Sequence, residues 1–120
     1  MGREISTEYG KIAITDEVIA TIAGVAATEC YGIVGMSARR LKDGIAELLG
    51  RENLSKGVDV IVDQESVIVN LNVVVGYGTR ISEVARNVRE KVKYTLESTT
   101  GLSVAQVNVT VQGVNSASAK

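Results

Sequence analysis

The sequence predicts a single α+β domain, and three observations support this prediction. An apolar strand ends near Val75 at a Gly-Tyr-Gly junction, and an amphipathic helix begins a few residues later. Segments 58–63 and 67–75 alternate apolar and polar residues, as half-buried strands do. The 120 residues are 45% hydrophobic but only 3% aromatic, which fits one core built from Val, Ile, Leu and Ala.

The first half of the chain predicts one strand followed by two helices. A short strand over 9–14 leads into a helix over 16–29, whose free amides Thr15 or Asp16 can cap. This helix is apolar nearly all round, which is typical of a deeply buried or interfacial helix. A second, weaker helix is expected over 39–50, and a loose loop over 50–57.

The second half predicts a β-hairpin, a helix and a last strand, so that the full order is β-α-α-β-β-α-β. The helix over 79–99 places its apolar residues on one side, with Thr79 as its cap. A last strand runs over 105–111. We predict a sheet of three strands from the hairpin and the last strand, or of four strands if the first strand joins them, with helices packed on one face. This domain spans 1–114, and the polar tail 115–120 is predicted to be disordered.

Charge and cysteine content restrict where and on what the protein acts. A net charge of −1 argues against a dedicated nucleic-acid binder. The single cysteine, Cys30, allows no internal disulfide, which fits a reducing cytosol. The polar segment 1–8 has no apolar signal core, and the apolar-rich stretch 18–27 is shorter than the roughly 20 residues of a membrane span. We therefore predict a cytoplasmic protein.

Residue types also argue against catalysis. The chain has no histidine, so most acid–base constellations cannot be built. Cys30 lacks a base to activate it, and a buried, inert thiol is expected. The carboxylates do not follow a recognisable metal-ligand spacing; they include Asp16, Glu17, Asp59, Asp63 and Glu65. We predict no enzyme activity, no cofactor and no metal.

Two glycine motifs could serve ligands. The junction Gly76-Tyr77-Gly78-Thr79 could offer backbone amides to a phosphate, or it could be a plain strand-to-helix turn with Thr79 as the cap. A G-x-x-G loop between helices, here Gly32-Ile33-Val34-Gly35, is the order found in KH nucleic-acid domains. A KH-like RNA-binding module using this loop is therefore the alternative function.

Surface residues on the last helix and the hairpin are candidates for interaction. Arg86, Arg89 and Lys93 share one helix flank, which could meet an anionic partner or form a salt-bridged, solvated face. Ile68 and Val74 lie on the second face of their strand. Surplus apolar surface and an edge strand open to pairing predict a dimer or larger assembly, unless the 39–50 helix covers that surface.

Several segments together carry a resemblance to a known family. They are Tyr9-Gly-Lys-Ile-Ala-Ile-Thr15, Cys30-Tyr-Gly-Ile-Val-Gly-Met36, Gly76-Tyr-Gly-Thr-Arg-Ile-Ser-Glu-Val-Ala85 and Val107-Asn-Val-Thr-Val-Gln-Gly-Val114. The chain resembles the alkaline shock and general stress proteins, which serve the envelope stress response of Gram-positive bacteria. It looks closest to short members encoded beside a dihydroxyacetone-kinase-like fatty acid kinase.

The resemblance implies a small, non-enzymatic, cytoplasmic interaction protein of cell-envelope homeostasis. It also implies a link to membrane lipid metabolism and recruitment to the inner face of the membrane by a membrane-anchored relative. The partners expected are therefore further copies of this chain and other proteins, with the membrane reached only indirectly. No catalytic or cofactor residues are carried over from the family.

Overall fold

The computed structural model describes residues 2–7, 10–37, 51–63 and 66–115 and confirms the α+β class. The elements in chain order are strand β1 (Gly2–Thr7), strand β2 (Gly10–Thr15), helix α1 (Asp16–Thr28), strand β3 (Ile33–Met36), a 3-10 helix (Arg51–Gly57), strand β4 (Val58–Asp63), strand β5 (Ser66–Gly76), helix α2 (Ile81–Thr100) and strand β6 (Ser103–Asn115).

Strand β5 is the centre of a four-stranded sheet. Its first half pairs antiparallel with β4 and its end pairs antiparallel with β3, so these two strands share one edge of β5. On the other edge β6 runs parallel to β5. Parallel neighbours need a crossover connection, and α2 provides it. The sheet is therefore mixed, and the hairpin predicted from the alternating pattern is its antiparallel half.

The first strand, which the sequence left open as a fourth member of the sheet, does not join it. Strand β2 instead pairs with β1 in a separate antiparallel hairpin, with Gly2 opposite Thr15 and Thr7 opposite Gly10. The polar N-terminal residues hide this strand, because they lack the apolar alternation by which half-buried strands are recognised. Strand β3 was not predicted either, since it is only four residues long.

Both helices pack on the same face of the sheet, as predicted. The odd-numbered residues of β5 from Val67 to Val75 point into this layer and are at most 1% exposed. Each fully buried aliphatic side chain contributes about 1.5–3 kcal/mol relative to leaving it in water. The helix residues in the same cluster are Ile19, Ala20, Ala23, Ala26 and Ala27 of α1 and Val84, Val88, Val92 and Leu96 of α2.

Helix α1 begins as the sequence predicts. The Thr15 hydroxyl oxygen accepts a hydrogen bond from the Val18 amide at 3.2 Å, and acidic residues in the first turn face the positive end of the helix dipole. Gly24 lets the 3-10 helix approach closely, since a Cβ atom at this position would lie 3.1 Å from the Leu54 Cβ. Leu54 is 7% exposed, so the prediction of a loose loop is wrong for 51–57. The helix expected over 39–50 lies outside the described residues.

The ends of α2 and β6 differ slightly from the prediction. Helix α2 begins at Ile81 and has no side-chain cap, because the Thr79 hydroxyl donates to the Gly76 carbonyl oxygen at 2.7 Å instead. It ends at Gly101 (φ +78°), as predicted. Strand β6 extends one residue into the tail that was predicted to be disordered, since Asn115 pairs with Gly76. Residues 116–120 lie outside the described part of the chain.

Candidate interaction surface at the glycine–tyrosine end

Two glycine-containing turns meet at one end of the sheet. The first, Tyr31-Gly32, leads from α1 into β3, and the second, 76–79, leads from β5 into α2. The Gly76 amide donates to the Gly32 carbonyl oxygen at 2.9 Å, which joins the two turns directly. We call the surface formed by Tyr31, Gly32, residues 76–79, Ile81 and Val114 the glycine–tyrosine end.

Gly32 cannot be replaced without displacing the Val84 side chain of α2. Its φ angle is +92°, a backbone conformation that favours glycine. A Cβ atom at Gly32 would lie 2.7 Å from Val84 Cγ2, which is closer than real atoms approach. Gly78 has nearly the same φ angle, +93°, but a Cβ atom there would meet nothing within 4 Å. The first turn is therefore packed against α2, whereas the second projects away from it.

Two backbone amides of the second turn are already used. Besides the bond from Gly76 to Gly32, the Thr79 amide donates to the Gly76 carbonyl oxygen at 3.3 Å. A phosphate cradle requires free amides at a helix N-terminus, and these two are occupied. The structure therefore favours the plain strand-to-helix turn, although Thr79 closes the turn rather than capping the helix.

Large apolar side chains are exposed at this end. Tyr31 is 81% exposed and Tyr77 is 68% exposed, and Ile81 and Val114 are each about half exposed. Val114 joins them because it pairs with Val75 at the end of β5. Tyr94 on α2 is also 72% exposed. The chain has only four aromatic residues, all tyrosines, and the three whose side chains the structure describes lie at the surface.

The charges near this end are paired and solvated. Arg80 forms an ion pair with Glu83 at 3.0 Å, and Lys91 forms one with Glu29 at 3.6 Å. Exposed ion pairs of this kind stabilise by about 0–1 kcal/mol. Each ion pair has no net charge, so it attracts or repels a charged partner only weakly. The glycine–tyrosine end is therefore an aromatic and aliphatic surface with little net charge.

Cys30 lies just inside this surface. Burial raises the pKa of its thiol, Lys91 lowers that pKa and Glu29 raises it, with burial the largest effect. The Sγ atom lies 3.6 Å from the Ala26 carbonyl oxygen. Because the thiolate is the reactive form, a raised pKa makes Cys30 a poor nucleophile near neutral pH.

The KH-like hypothesis loses its structural basis. Residues Ile33 to Met36 form strand β3, and Gly35 is buried opposite Val74 in the sheet. A phosphate-clamping loop must present its backbone to solvent, and this segment uses its backbone in the sheet. The prediction that Gly32-Ile33-Val34-Gly35 forms a loop is therefore wrong beyond Gly32.

The predicted basic flank is present on α2, but its members differ. Arg86 and Arg89 are exposed. Lys93 is held by the Val104 carbonyl oxygen at 3.2 Å and by Glu97 at 3.8 Å, so it is committed to the contact between α2 and β6. The flank thus offers an external anion two exposed arginines and one restrained lysine.

The two predicted sheet contacts lie on the face opposite the helices. Ile68 is half-buried, whereas Val74 is 4% exposed within the single chain. Between them the face carries a ladder of amides. The Asn108 Nδ2 atom donates to Asn70 Oδ1 at 2.8 Å, and Gln112 Nε2 donates to Asn72 Oδ1 at 3.0 Å. This face is therefore polar at its centre, where Asp59 of β4 also lies opposite Asn70.

An acidic groove of about 330 Å³ lies at the start of α1. Its lining residues are Asp16, Glu17, Ala20, Ser55, Val58, Asp59 and Val60. The Asp16 Oδ1 atom is buried and has no hydrogen-bond partner among the described residues. In the described part of the chain, no group of three potential metal ligands comes together. The carboxylates at the start of α1 lie where the helix dipole favours negative charge.

Sequence reasoning missed the exposed tyrosines as a group. It treated residues 31 and 77 as parts of turns, because the neighbouring glycines dominate the local pattern. The usable signal was compositional: the chain has four aromatic residues, and Tyr31 and Tyr77 stand beside glycines at turn positions. Turns lie at the surface, so these side chains were available for solvent or for a partner.

The fold and this surface define a small α+β domain with an exposed aromatic end and a long edge strand. The chain belongs to the alkaline shock protein 23 family, described as having a cell envelope-related function; the family model matches residues 4–116. Membership confirms the resemblance to alkaline shock and general stress proteins.

Individual relatives agree with this assignment. The chain is 52% identical over 115 residues to the uncharacterized protein YloU of Bacillus subtilis, covering 95% of this chain and 96% of that protein. It is 44% identical over 112 residues to the uncharacterized protein Spy1614 of Streptococcus pyogenes, covering 92% and 93%. It is 30% identical over 105 residues to a stress response regulator gls24 homolog of Streptococcus pyogenes, covering 85% and 57%.

No solved structure matches the chain with statistical significance. Among the described residues, no helix has both the length and the apolar character that a membrane crossing requires.

Proposed function

We propose that this protein is a non-enzymatic interaction module of the cell-envelope stress response, and that the glycine–tyrosine end is the surface that contacts its protein partner. The observation that carries the proposal is the exposure of Tyr31 and Tyr77 at 81% and 68%. Tyrosine is enriched among the residues that dominate binding energy in protein interfaces. Family membership supplies the envelope context.

Chemistry supports an interaction role over a catalytic one. The chain has no histidine, the residue most used for proton transfer at neutral pH. The thiol of Cys30 is held in its protonated form by burial. The exposed end instead combines aromatic rings, aliphatic side chains and neutral ion pairs, which is the composition of an interface core with a polar rim.

The proposal places the protein in the cytoplasm, at the inner face of the membrane and bound there through a protein. The chain carries a net charge of −1, and adsorption to anionic lipid is driven by an excess of basic residues. A membrane-anchored relative is the partner that the sequence resemblance implies. The same resemblance is the basis for including a link to membrane lipid metabolism. Self-association is part of the proposal, supported by the long edge strand β6, which pairs only with β5 among the described residues.

The test compares two variants in the native host membrane fraction. We expect Tyr31→Ala/Tyr77→Ala to lose partner capture by at least about tenfold, because interface anchors each contribute about 2 kcal/mol or more and 1.4 kcal/mol is tenfold in affinity. The matched control is Tyr94→Ala, which removes an equally exposed tyrosine from α2. Capture is measured by quantitative pull-down of the membrane-anchored relative.

Two outcomes would contradict the proposal. Equal capture by the wild type and the double variant would exclude the glycine–tyrosine end. Tight binding of the pure protein to vesicles containing anionic phosphatidylglycerol would exclude recruitment through a partner.

A further inference from the structure

Strand β6 forms a long edge of the sheet. It has 13 residues and pairs only with β5 in the described part of the chain. Natural proteins protect such edges with charged residues, prolines or short strands, because open edges pair with other chains. Residues 103–115 contain no charged residue and no proline. The edge therefore lacks the usual protection against pairing.

Only the beginning of β6 is protected by side chains. The Val104 amide donates to Glu97 Oε2 at 3.0 Å, and the Val104 carbonyl oxygen accepts from Lys93 Nζ at 3.2 Å. Both side chains come from α2 and occupy the two backbone groups of one residue. From Gln106 to Val111, no described side chain bonds the backbone in this way.

The segment Gln106–Val111 is also the regular part of the strand. Register shifts relative to β5 fall just before Gln106 and just after Val111, so six residues run without a bulge. At about 3.3 Å per residue, this segment offers roughly 20 Å of straight edge. A bulge would twist the strand and oppose pairing, but the bulges lie outside the segment.

The side chains of this segment suit a second copy of the same strand. Gln106, Asn108 and Thr110 lie on the face with the amide ladder, and Val107, Val109 and Val111 lie on the core face. A two-fold axis sets a strand antiparallel to its own copy, which would place like charges together if the strand carried any. This strand carries none, and amide groups both donate and accept hydrogen bonds.

We propose that β6 pairs antiparallel with β6 of a second copy within Gln106–Val111, with Asn108 opposite its own copy and Gln106 opposite Thr110, so that two four-stranded sheets join into one. The amide ladder from Asn70 through Asn108 then continues across the junction. This inference names the surface for the self-association included in the proposed function. It does not involve the glycine–tyrosine end, so each surface can be tested without the other.

The experiment uses opposite charges placed on the edge. Gln106 and Thr110 are exposed, and the variants are Gln106→Lys/Thr110→Lys and Gln106→Glu/Thr110→Glu. Like charges opposite each other on paired strands are destabilising, and opposite charges are favourable. The control Ser98→Lys/Thr99→Lys adds the same charge to an exposed part of α2.

Light scattering at micromolar concentration measures the mass. We expect wild type and control to show twice the 12.7 kDa chain mass, and each edge variant alone to show once that mass. An equimolar mixture of the two edge variants should recover the doubled mass, which a misfolded variant could not do.

Three results would each overturn the inference. They are a wild-type mass that stays monomeric over a tenfold rise in concentration, edge variants that keep the doubled mass, and a mixture that stays monomeric. The edge variants should still capture the membrane-anchored relative in the pull-down. A monomeric wild type that still captures the relative would overturn this inference alone. A dimeric wild type whose capture does not depend on Tyr31 and Tyr77 would overturn the proposed function alone.

Discussion

The two helices cover the same sheet face by different means. Helix α2 buries four residues spaced four apart, Val84, Val88, Val92 and Leu96, and exposes charged residues on its other side. Helix α1 buries mostly small residues and leaves Val18 and Val25 about 40–50% exposed. Gly24 lets Leu54 of the 3-10 helix approach α1 closely. The difference shows that an apolar pattern reveals the buried face only when polar residues mark the other one.

The largest expected difference in the free energy of unfolding lies between a substitution in the buried stripe of α2 and one on the exposed apolar surface of α1. Leu96→Ala should lower the free energy of unfolding by about 2–5 kcal/mol, because the cavity is enclosed on all sides; Leu96 is 1% exposed. Val18→Ala should change it by less than about 0.5 kcal/mol, as for most surface sites. Urea unfolding of both variants measures the contrast. Similar losses would mean that α1 is covered where the structure shows it exposed.

The turns next to the helices provide the second contrast. Gly32→Ala should cost about 1–2 kcal/mol for its positive φ angle and about 1–3 kcal/mol more for pushing Val84 of α2, since the new Cβ atom would lie 2.7 Å from that side chain. Gly78→Ala should lower the free energy of unfolding only by the contribution of its positive φ angle, about 1–2 kcal/mol. Thermal unfolding measures the stability of both glycine variants. The double variant Gly32→Ala/Val84→Ala tests the contact between positions 32 and 84. If that double variant loses the full sum of the two single losses, Gly32 and Val84 do not interact as described.

Close packing of α1 is tested at Gly24. Gly24→Val should destabilise by about 1–3 kcal/mol, because its branches would enter the space of Leu54, and overfilled contacts force the backbone apart. The control Thr21→Val places the same residue type on the exposed side of α1 without adding volume, and it should stay within about 0.5 kcal/mol. The urea midpoints of both variants, measured at equal protein concentration, test this prediction. An unchanged stability of Gly24→Val would show that the 3-10 helix can move away from α1.

The smallest effect concerns the thiol between the two helices. Alkylation of Cys30 by iodoacetamide should reach half its maximal rate at a higher pH than free cysteine, since burial raises the pKa of the thiol. Lys91→Met should move this midpoint further up, because Lys91 favours the thiolate, and Glu29→Gln should move it down. Rates measured across the pH range in folded protein provide the test. Equal midpoints for Cys30 and free cysteine would contradict the burial.

Much of the fold could be predicted where a segment has two chemically distinct sides. The stripe of α2 and the alternation in β4 and β5 were predicted correctly, because burial on one face forces a period of 3.6 or 2. Helix α1 was also placed correctly, since Thr15 and the following acids mark its beginning. The site was harder, because nothing in a local pattern says which turns will meet.

The sequence by itself determined the α+β class, the α1, β4, β5, α2 and β6 elements and the family, because each rests on local periodicity or on motif order. Only the tertiary structure decided that Ile33–Met36 is a strand, that β1 pairs with β2 outside the main sheet and that Tyr31 and Tyr77 share one end. These features depend on contacts between residues distant in sequence. The bond from the Gly76 amide to the Gly32 carbonyl oxygen joins two turns 44 positions apart, and no local propensity encodes such a pairing.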